Sequence, residues 1–262
     1  MVLYVHDLFL LTRREELNRA AKLYMAGPFR LALARLRTFL VNSEATGEAL
    51  RPWLAPGATV LPYRPAIRDV FGLASNVPSA GDGGPLVVGA MGTIEPRKNL
   101  LAAARLCAAK GRAIGREVEL HIIGRRGWGP DAEALERLPH VRLLGFLDDA
   151  EARQAIARFD LFASTSHDEG LGLPLLEMQF GGLLVIAPDK PVFREVLGDS
   201  GLLVDVEDAD AAAERGAAHL AQPEWRARAA DLAAANIDRW NRQAERDRAG
   251  VIDFLGQRLA AR

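Results

Sequence analysis

The stretch that decides the fold is Ser164-Thr-Ser-His-Asp-Glu-Gly-Leu-Gly-Leu-Pro-Leu-Leu-Glu177, which joins an apolar strand to a helix. The strand is predicted over residues 160–163, which include Leu, Phe and Ala side chains. Pro174 can begin the helix, because proline has its φ fixed near the helical value and lacks only an N–H that would be unpaired there. The stretch therefore predicts a strand, a loop and a helix in succession.

The loop inside this stretch has the features of an anion site. Gly170 and Gly172 leave the backbone bare just before the helix. Unpaired N–H groups and the positive end of the helix dipole both favour an anion at such a position. Two acids, Glu169 and Glu177, bracket the loop and can accept hydrogen bonds from hydroxyls. A phosphorylated sugar has both kinds of group.

The rest of the second half alternates apolar strands with helices, which predicts a parallel, doubly wound α/β sheet. Ligands of such sheets bind beyond the carboxyl ends of the strands, and the loops starting at Met91, Gly124, Gly145 and Ser164 open there. Strands are predicted at 86–90, 118–123, 141–144, 160–163, 183–187 and 202–204, and helices at 99–110, 131–138, 149–159, 174–180 and from about 208 onward.

The first part of the chain predicts a smaller α/β unit. Asn42-Ser43 can cap one of its helices, and Glu44 lies favourably in the first turn of that helix. Strands are predicted at 2–5, 38–41 and 59–62, and helices at 15–25 and from Pro28. Glycine and proline are frequent from Ser75 to Pro85, where the domain boundary is predicted. The domains are thus expected at 1–74 and 86–240, joined by a linker at 75–85, with a final helix at 241–262.

A second informative stretch is Gly92-Thr-Ile-Glu-Pro-Arg-Lys-Asn99, which follows a strand and leads into a helix that Asn99 can cap. Arg97 and Lys98 are adjacent cations at the same predicted edge as the Gly170 amides. Preorganised cations stabilise the charge that develops on a leaving diphosphate. Adjacent basic residues in a loop are otherwise usually just solvated.

Glu169, seven intervening residues and Glu177, with Gly170-Leu-Gly-Leu-Pro174 between the acids, resemble the donor-site signature of the family 4 retaining glycosyltransferases. This resemblance covers nearly the whole chain. It implies the GT-B fold, here with a complete C-terminal Rossmann-like sheet and a truncated N-terminal Rossmann-like domain. It also implies metal-independent transfer of a hexose, with mannose one option, from a GDP- or UDP-sugar to a glycan or lipid-linked acceptor in polysaccharide synthesis.

The resemblance also assigns roles to individual residues. Lys98, with Arg97 beside it, would contact the diphosphate, and Glu177 would hold the ribose hydroxyls. Glu169 would contact a hydroxyl of the transferred hexose. His6 matches the family's histidine near the donor sugar and the acceptor; capping of its own loop is the alternative. These assignments make His6, Arg97, Lys98 and Glu169 the candidate catalytic residues.

The remaining candidates surround the donor. Thr93 stands where many relatives carry an arginine, so Arg97 is expected to serve in its place. The loop at Gly145-Phe146 resembles the segment that contacts the base through backbone atoms. The expected donor-binding residues are Gly92, Thr93, Arg97, Lys98, Gly124, Phe146, Glu169, Gly170, Leu171, Gly172, Leu173 and Glu177.

Composition narrows the alternatives. The net charge of −1 and the absence of a basic stripe argue against nucleic acid as a partner. The single cysteine, Cys107, excludes an internal disulfide, and no apolar run has spanning length, so a cytoplasmic protein is expected. Asp208-Ala-Asp210 is interpreted as a helix start, and no metal site or cofactor is expected. Peripheral association with the inner face of a membrane stays open.

The portion ahead of Ser75 matches only the end of the family's first domain and carries three predicted strands. A three-stranded parallel sheet would have an open edge. An oligomer, a second polypeptide covering that edge, a shortened form or a start upstream of Met1 are the alternatives. The competing hypothesis for function is accordingly a non-catalytic or partner-dependent subunit that binds nucleotide sugar without a complete acceptor domain.

Overall fold

The computed structural model describes residues 1–13, 24–75 and 84–260. Its contacts divide the described chain into two compact units. The first unit contains Met1–Ile67, Glu169–Leu171 and Asp238–Arg262, and the second contains Arg68–Asp168 and Gly172–Ile237, as far as these ranges are described. Most of the helix predicted at 15–25 and of the linker predicted at 75–85 lies outside the described residues.

The first unit is built on a small parallel sheet. Its strands are β1 (Leu3–Val5), β2 (Thr38–Val41) and β3 (Thr59–Pro62), hydrogen-bonded in the order β1-β2-β3. Helices α1 (Phe9–Thr12), α2 (Ala26–Arg35) and α3 (Glu44–Leu50) belong to the same unit. Phe39 of β2 is fully buried among apolar residues of these elements, so the middle strand carries the core. The three predicted strands are confirmed.

The start of α3 shows which of two predicted capping residues acts. The Ser43 hydroxyl accepts a hydrogen bond from the Thr46 N–H at 3.0 Å, as an N-cap does. Asn42 instead donates its amide to the carbonyl oxygen of His6 at 2.8 Å. Asn42 therefore ties the end of β1 to the end of β2.

The second unit contains a six-stranded parallel sheet in the order β6-β5-β4-β7-β8-β9. Relative to the first strand of this unit, this is the order 3-2-1-4-5-6 of doubly wound dinucleotide-binding folds, with its switch point between β4 and β7. The strands are β4 (Leu86–Met91), β5 (Val118–Ile123), β6 (Val141–Gly145), β7 (Leu161–Ala163), β8 (Leu184–Pro188) and β9 (Gly201–Val204).

Helices follow the strands as the sequence predicts, with one addition. The helix after β8, Pro191–Leu197, was not predicted, because its seven residues are too few to show a clear helical repeat. The helices are α4 (Leu100–Ile114), α5 (Asp131–Glu136), α6 (Asp149–Ile156), α7 (Leu173–Gln179), α8 (Pro191–Leu197), α9 (Ala209–Leu220) and α10 (Trp225–Ala260). The Asp208 carboxylate accepts from the Ala211 N–H at the start of α9, which confirms its interpretation as a helix start.

Strand burial explains why the strands of the second sheet could be predicted from the sequence. All five residues of β8 are buried, as expected of a parallel strand covered on both faces. At Gly89 in β4, an added Cβ would lie 2.1 Å from the ring of Phe159. Glycine at this position therefore lets the aromatic ring pack against the strand.

The boundary between the units differs from the predicted one. Residues 68–74 were expected in the first domain but belong to the second unit. Asp69 accepts hydrogen bonds from the backbone N–H groups of Leu73 and Ala74, and Leu73 is only 2% exposed. The guanidinium of Arg153 also donates to the carbonyl oxygen of Phe71. Composition indicates roughly where a boundary lies, whereas buried contacts decide which unit residues 68–74 join.

The division within α10 also differs by a few residues. One continuous helix supplies residues 225–237 to the second unit and 238–260 to the first. Trp240, which was expected in the second domain, is 0% exposed, and its indole N–H donates to the carbonyl oxygen of Pro65 at 3.0 Å. This contact holds the second half of α10 in the first unit.

Candidate active site

The loops after β4 and β7 meet at the switch point of the second sheet. The buried hydroxyl of Thr165 lies 2.8 Å from the carbonyl oxygen of Asn99 and 3.2 Å from that of Lys98. The His167 N–H donates to the carbonyl oxygen of Arg97 at 2.9 Å. The sequence placed both loops at one edge of the sheet, and the structure joins them by main-chain contacts. Lys98 therefore lies where ligands of doubly wound sheets bind.

The turn that carries Lys98 is tightly formed. Pro96–Lys98 forms a 3-10 turn, and the Lys98 N–H donates to the carbonyl oxygen of Glu95 at 2.9 Å. Asn99 follows with a φ of 48°, a left-handed conformation that is rare outside glycine and common at functional sites. Asn99 occupies the N-cap position of α4, as predicted, but its amide donates to Glu207 at 3.0 Å instead of capping the helix.

Gly92 makes room for the lysine side chain. A Cβ added at Gly92 would lie 3.0 Å from Cε of Lys98, and Gly92 has a φ of 142°, where other residues are strained. The aliphatic stem of Lys98 thus passes over bare backbone. The structure brings together Gly92, Thr93 and Lys98 of the predicted set.

Arg97 makes protein contacts with both edges of its guanidinium. One amino group lies 2.6 Å from the Glu95 carboxylate, and the other lies 3.3 Å from the carbonyl oxygen of Asp168. The side chains of Arg97 and Glu95 are only 19% and 8% exposed. These contacts direct both amino groups of the guanidinium towards protein oxygens, and the role of Arg97 on a diphosphate stays a prediction.

The helix after the glycine-rich loop begins one residue earlier than predicted. Gly172 is its N-cap with a φ of 77°, Leu173 is its first residue, and Pro174 lies in the first turn. The helix has seven residues, so its dipole is short and its contribution to anion binding is correspondingly small. Anion binding at this edge would therefore depend chiefly on cationic side chains, of which Arg97 and Lys98 are the predicted ones.

Glu177 has the properties of a ligand-binding carboxylate. Its side chain is half-buried in α7, and burial raises the pKa of its carboxyl above the usual value. Its carboxylate makes no hydrogen bond or ion pair with another side chain or backbone group of the described residues. A half-buried carboxylate whose oxygens have no other partner gains more from hydrogen bonds to sugar hydroxyls than an exposed, hydrated carboxylate does.

A cavity of about 740 Å³ lies in the second unit at the carboxyl ends of β4, β5 and β6. The Gly124 N–H donates to the carbonyl oxygen of Gly145 at 2.8 Å, and a Cβ at Gly124 would lie 1.9 Å from the carbonyl oxygen of Gly92. These contacts hold the three loops together. The lining residues are Phe71, Met91, Gly92, Thr93, Ile123, Gly124, Arg125, Phe146, Leu147, Asp148, Asp149 and Ala152.

Several polar residues of this cavity were not predicted. The Arg125 guanidinium lies 4.3 Å from the ring centroid of Phe146, which is 67% exposed. Asp148 is occupied by a capping box with Glu151 at the start of α6, whereas Asp149 is exposed. Arg125 directly follows Gly124, so its place in a predicted edge loop was the signal that could have identified it.

The other predicted residues lie together in the first unit. A Cβ at Gly170 would lie 1.9 Å from the carbonyl oxygen of His6, so Glu169–Leu171 packs against the end of β1. The hydroxyls of Ser43 and Thr46 donate to the carbonyl oxygen of Gly170 at 2.9 and 3.0 Å. His6 is exposed and lies edge-on to Tyr4. The role of Ser43 and Thr46 in fixing this segment was missed.

Two findings concern other kinds of site. Within residues 1–13, 24–75 and 84–260, no group of three or more His, Cys, Asp or Glu side chains could hold a metal ion. No helix in the described part of the chain is long and apolar enough to cross a membrane. Cys107 is buried, and burial raises the pKa of its thiol to about 12, so this thiol is unreactive.

Solved structures share this fold at low sequence identity. A sucrose-phosphate synthase from Thermosynechococcus elongatus superposes on 100% of the chain and 68% of its own length, with a TM-score of 0.72 and 18% identity. The match to Anabaena HepE, solved with UDP and glucose, covers 95% of this chain and 71% of the HepE chain, with a TM-score of 0.69 and 19% identity. These likenesses, together with the two parallel sheets, establish the GT-B type of fold.

Curated relatives are more similar in sequence, over about half of this chain. The O-antigen chain mannosyltransferase B of Escherichia coli is 34% identical over 160 residues, which are 57% of this chain and 41% of that protein. A phosphatidyl-myo-inositol mannosyltransferase of Mycolicibacterium smegmatis is 38% identical over 125 residues, 44% of this chain and 31% of that protein. The chain thus matches less than half the length of these curated relatives.

The family model described as glycosyl transferases group 1 matches residues 85–222, which is more than half of the chain. This range contains the six-stranded sheet, the Lys98 turn, Glu177 and every lining residue of the cavity except Phe71. The chain therefore belongs to the glycosyl transferases group 1 family.

Proposed function

We propose that this protein is a retaining glycosyltransferase that transfers mannose from a nucleotide-diphosphate sugar to a glycan or lipid-linked acceptor in polysaccharide synthesis. Family membership supports glycosyl transfer, and the names of the two relatives support mannose as the sugar and a glycan or a lipid-linked acceptor. The observation that carries the proposal is the junction of the β4 and β7 loops through Thr165. This junction holds the Lys98 turn against the loop that leads into α7.

Lys98 supplies the charge for the leaving group in this proposal. The bond between the anomeric carbon and the diphosphate breaks, and negative charge collects on the diphosphate oxygens. An ammonium group that is already in place stabilises this charge without reorganisation. The amides at the start of α7 add hydrogen bonds. With this cation in position, we propose that transfer does not depend on a metal ion.

Retention then follows from attack on the same face as the departing diphosphate. The acceptor oxygen bonds to the anomeric carbon as the leaving oxygen departs, and that diphosphate oxygen takes the acceptor proton. No protein nucleophile is needed. Glu177 holds the ribose hydroxyls, and by resemblance Glu169 contacts the hexose and His6 lies near the acceptor.

The cavity suits the base of the nucleotide, and its polar groups favour guanine. The Phe146 ring with the stacked Arg125 offers an aromatic face, and Asp149 adds an acceptor. Guanine presents O6 and N7 as acceptors for an arginine. Its N1–H and amino group are donors for a carboxylate. Uracil has one N–H between two carbonyl oxygens and would set an oxygen against the carboxylate.

The decisive experiment compares GDP, UDP and ADP by isothermal titration calorimetry, followed by a transfer assay with the matching sugar donor. We expect GDP to bind best and GDP-mannose to support slow donor hydrolysis even without acceptor. Arg125→Ala should weaken GDP binding, and Arg112→Ala is its matched control, because Arg112 is an exposed arginine paired with Asp210 on the surface. Absence of binding to all three diphosphates would overturn the proposal. Binding without hydrolysis or transfer until a second polypeptide is added would favour a partner-dependent subunit.

A further inference from the structure

We infer that Arg97 and Glu95 form a clasp that positions Lys98, and that Arg97 is a positioning residue and not a ligand of the diphosphate. The inference rests on the proposed function, because it assigns work to Lys98 at a nucleoside diphosphate. It changes the role that family resemblance suggested for Arg97. It also assigns a role to Glu95, which no sequence pattern had singled out.

The clasp joins two loops through one guanidinium. Arg97 reaches Glu95 at 2.6 Å within its own turn and the carbonyl oxygen of Asp168, at 3.3 Å, in the loop after β7. The Glu95 side chain is 8% exposed and the Arg97 side chain 19%. If Arg97 turned towards a ligand, the Glu95 carboxylate would stay buried without that partner, which is strongly unfavourable. The pair is therefore expected to stay closed while the ligand binds.

The clasp fixes the backbone from which Lys98 projects. The Lys98 N–H donates to the carbonyl oxygen of Glu95, and the His167 N–H donates to that of Arg97. Thr165 closes the same junction from the other loop. A lysine side chain is a point charge on a flexible four-carbon stem, so its position depends on a fixed backbone and on the surface below it. Here the clasp provides the fixed backbone and Gly92 the surface.

The two roles of Arg97 predict opposite effects for Glu95→Gln. If Arg97 were a phosphate ligand, neutralising Glu95 would release a competing anion and tighten nucleoside diphosphate binding. If the pair is a clasp, the ion pair becomes a weaker hydrogen bond from the guanidinium to a neutral amide oxygen, and binding weakens. We expect a rise in Kd of about threefold to tenfold for Glu95→Gln and of about tenfold or more for Arg97→Gln.

Two further variants sharpen the comparison. Arg97→Lys keeps the charge but cannot contact Glu95 and the Asp168 carbonyl together, so it should bind as weakly as Arg97→Gln. The double variant Glu95→Gln/Arg97→Gln should be no weaker than Arg97→Gln alone, because both changes open one contact. The control is the exposed pair Arg126 and Glu136, also 2.6 Å apart, whose Gln variants should change nothing.

The experiment measures Kd for whichever of GDP, UDP and ADP the wild-type chain binds best, and for the matching nucleoside. The clasp variants should weaken the diphosphate and leave the nucleoside unchanged, because the nucleoside lacks phosphates. Hydrogen exchange should show a loss of protection at the His167 amide. Tighter or unchanged diphosphate binding by Glu95→Gln, rescue by Arg97→Lys, or additive effects would overturn the inference. If the wild-type chain binds none of the diphosphates, the proposed function itself fails.

If Arg97→Gln does not fold, Glu95→Gln and Arg97→Lys alone decide the question. For each of these variants, the two roles of Arg97 predict changes in the diphosphate Kd that differ in sign or in size. Loss of nucleoside binding in parallel with diphosphate binding would indicate a general structural defect and would contradict the inference.

Discussion

Lys110 gives the sharpest quantitative prediction, because it is a buried amine with no partner among the described residues. Its side chain is 1% exposed in α4, and its Nζ makes no hydrogen bond there. A Cβ at Gly216 of α9 would lie only 2.2 Å from that Nζ. Burial lowers the pKa of Lys110 from 10.5 to about 8, and the Cys107 thiol opposes this in part.

The expected cost of burying the Lys110 charge, in free energy of unfolding, follows from this pKa. The difference between 10.5 and about 8 corresponds to about 3 kcal/mol, at about 1.4 kcal/mol for each tenfold step. Below pH 8 the amine is charged in both the folded and the unfolded states, so the folded state carries the full cost. Between pH 8 and 10.5 the unfolded state binds more protons, so stability rises with pH and the cost disappears. Lys110→Met keeps the aliphatic length and removes the charge.

We expect Lys110→Met to raise the free energy of unfolding by about 2–3 kcal/mol at pH 7. Most of this gain should vanish above pH 10.5. Urea unfolding at both pH values measures the change, and hydrogen exchange in α4 locates it. His219 and Arg228 also lie in this electrostatic environment, and the exposed Arg112 serves as the control through Arg112→Met. A neutral or destabilising result at pH 7, or an equal gain at both pH values, would refute the reasoning.

Three further predictions concern the site. Lys98→Ala should weaken nucleoside diphosphate binding by about tenfold or more, since one charge-assisted bond is worth roughly 1.5–3 kcal/mol; unchanged affinity by calorimetry would contradict the assignment. Donor affinity should fall as pH drops through the raised pKa of Glu177, at a higher pH than an ordinary glutamate would cause, because protonation removes the charged acceptor. Glu177→Gln should bind more weakly and lose that pH dependence, and a retained dependence in this variant would assign it to another group. EDTA should leave the rate of transfer nearly unchanged, whereas a large loss that Mg²⁺ or Mn²⁺ restores would show that a metal ion takes part.

The sequence predicted the second unit well because each of its signals is local. Parallel strands that are buried on both faces are continuous apolar runs, and all five residues of β8 fit this description. A capping residue such as Asp208 acts within a few positions of its own helix. For these elements the chain needs no distant contact to show its structure.

The candidate site was only partly predictable for the same reason. Gly92, Lys98 and Glu177 could be found because they lie in patterned strand-to-helix loops. Arg125 and Glu95 could not, because an arginine or glutamate in a loop has no local sign of its partner. The Glu95–Arg97 pair shows how burial, and not spacing, gives such residues a role.

The sequence by itself determined most of the elements of this protein and their alternation, and it singled out two strand-to-helix loops as candidate anion sites. Only the tertiary structure decided the strand order of the second sheet, the meeting of the loops after β4 and β7 through Thr165, and the place of residues 68–74 in the second unit. The physical reason is the distance along the sequence over which each interaction acts. Periodicity and capping act over a few residues, whereas these features depend on contacts between parts of the chain whose separation leaves no repeating pattern.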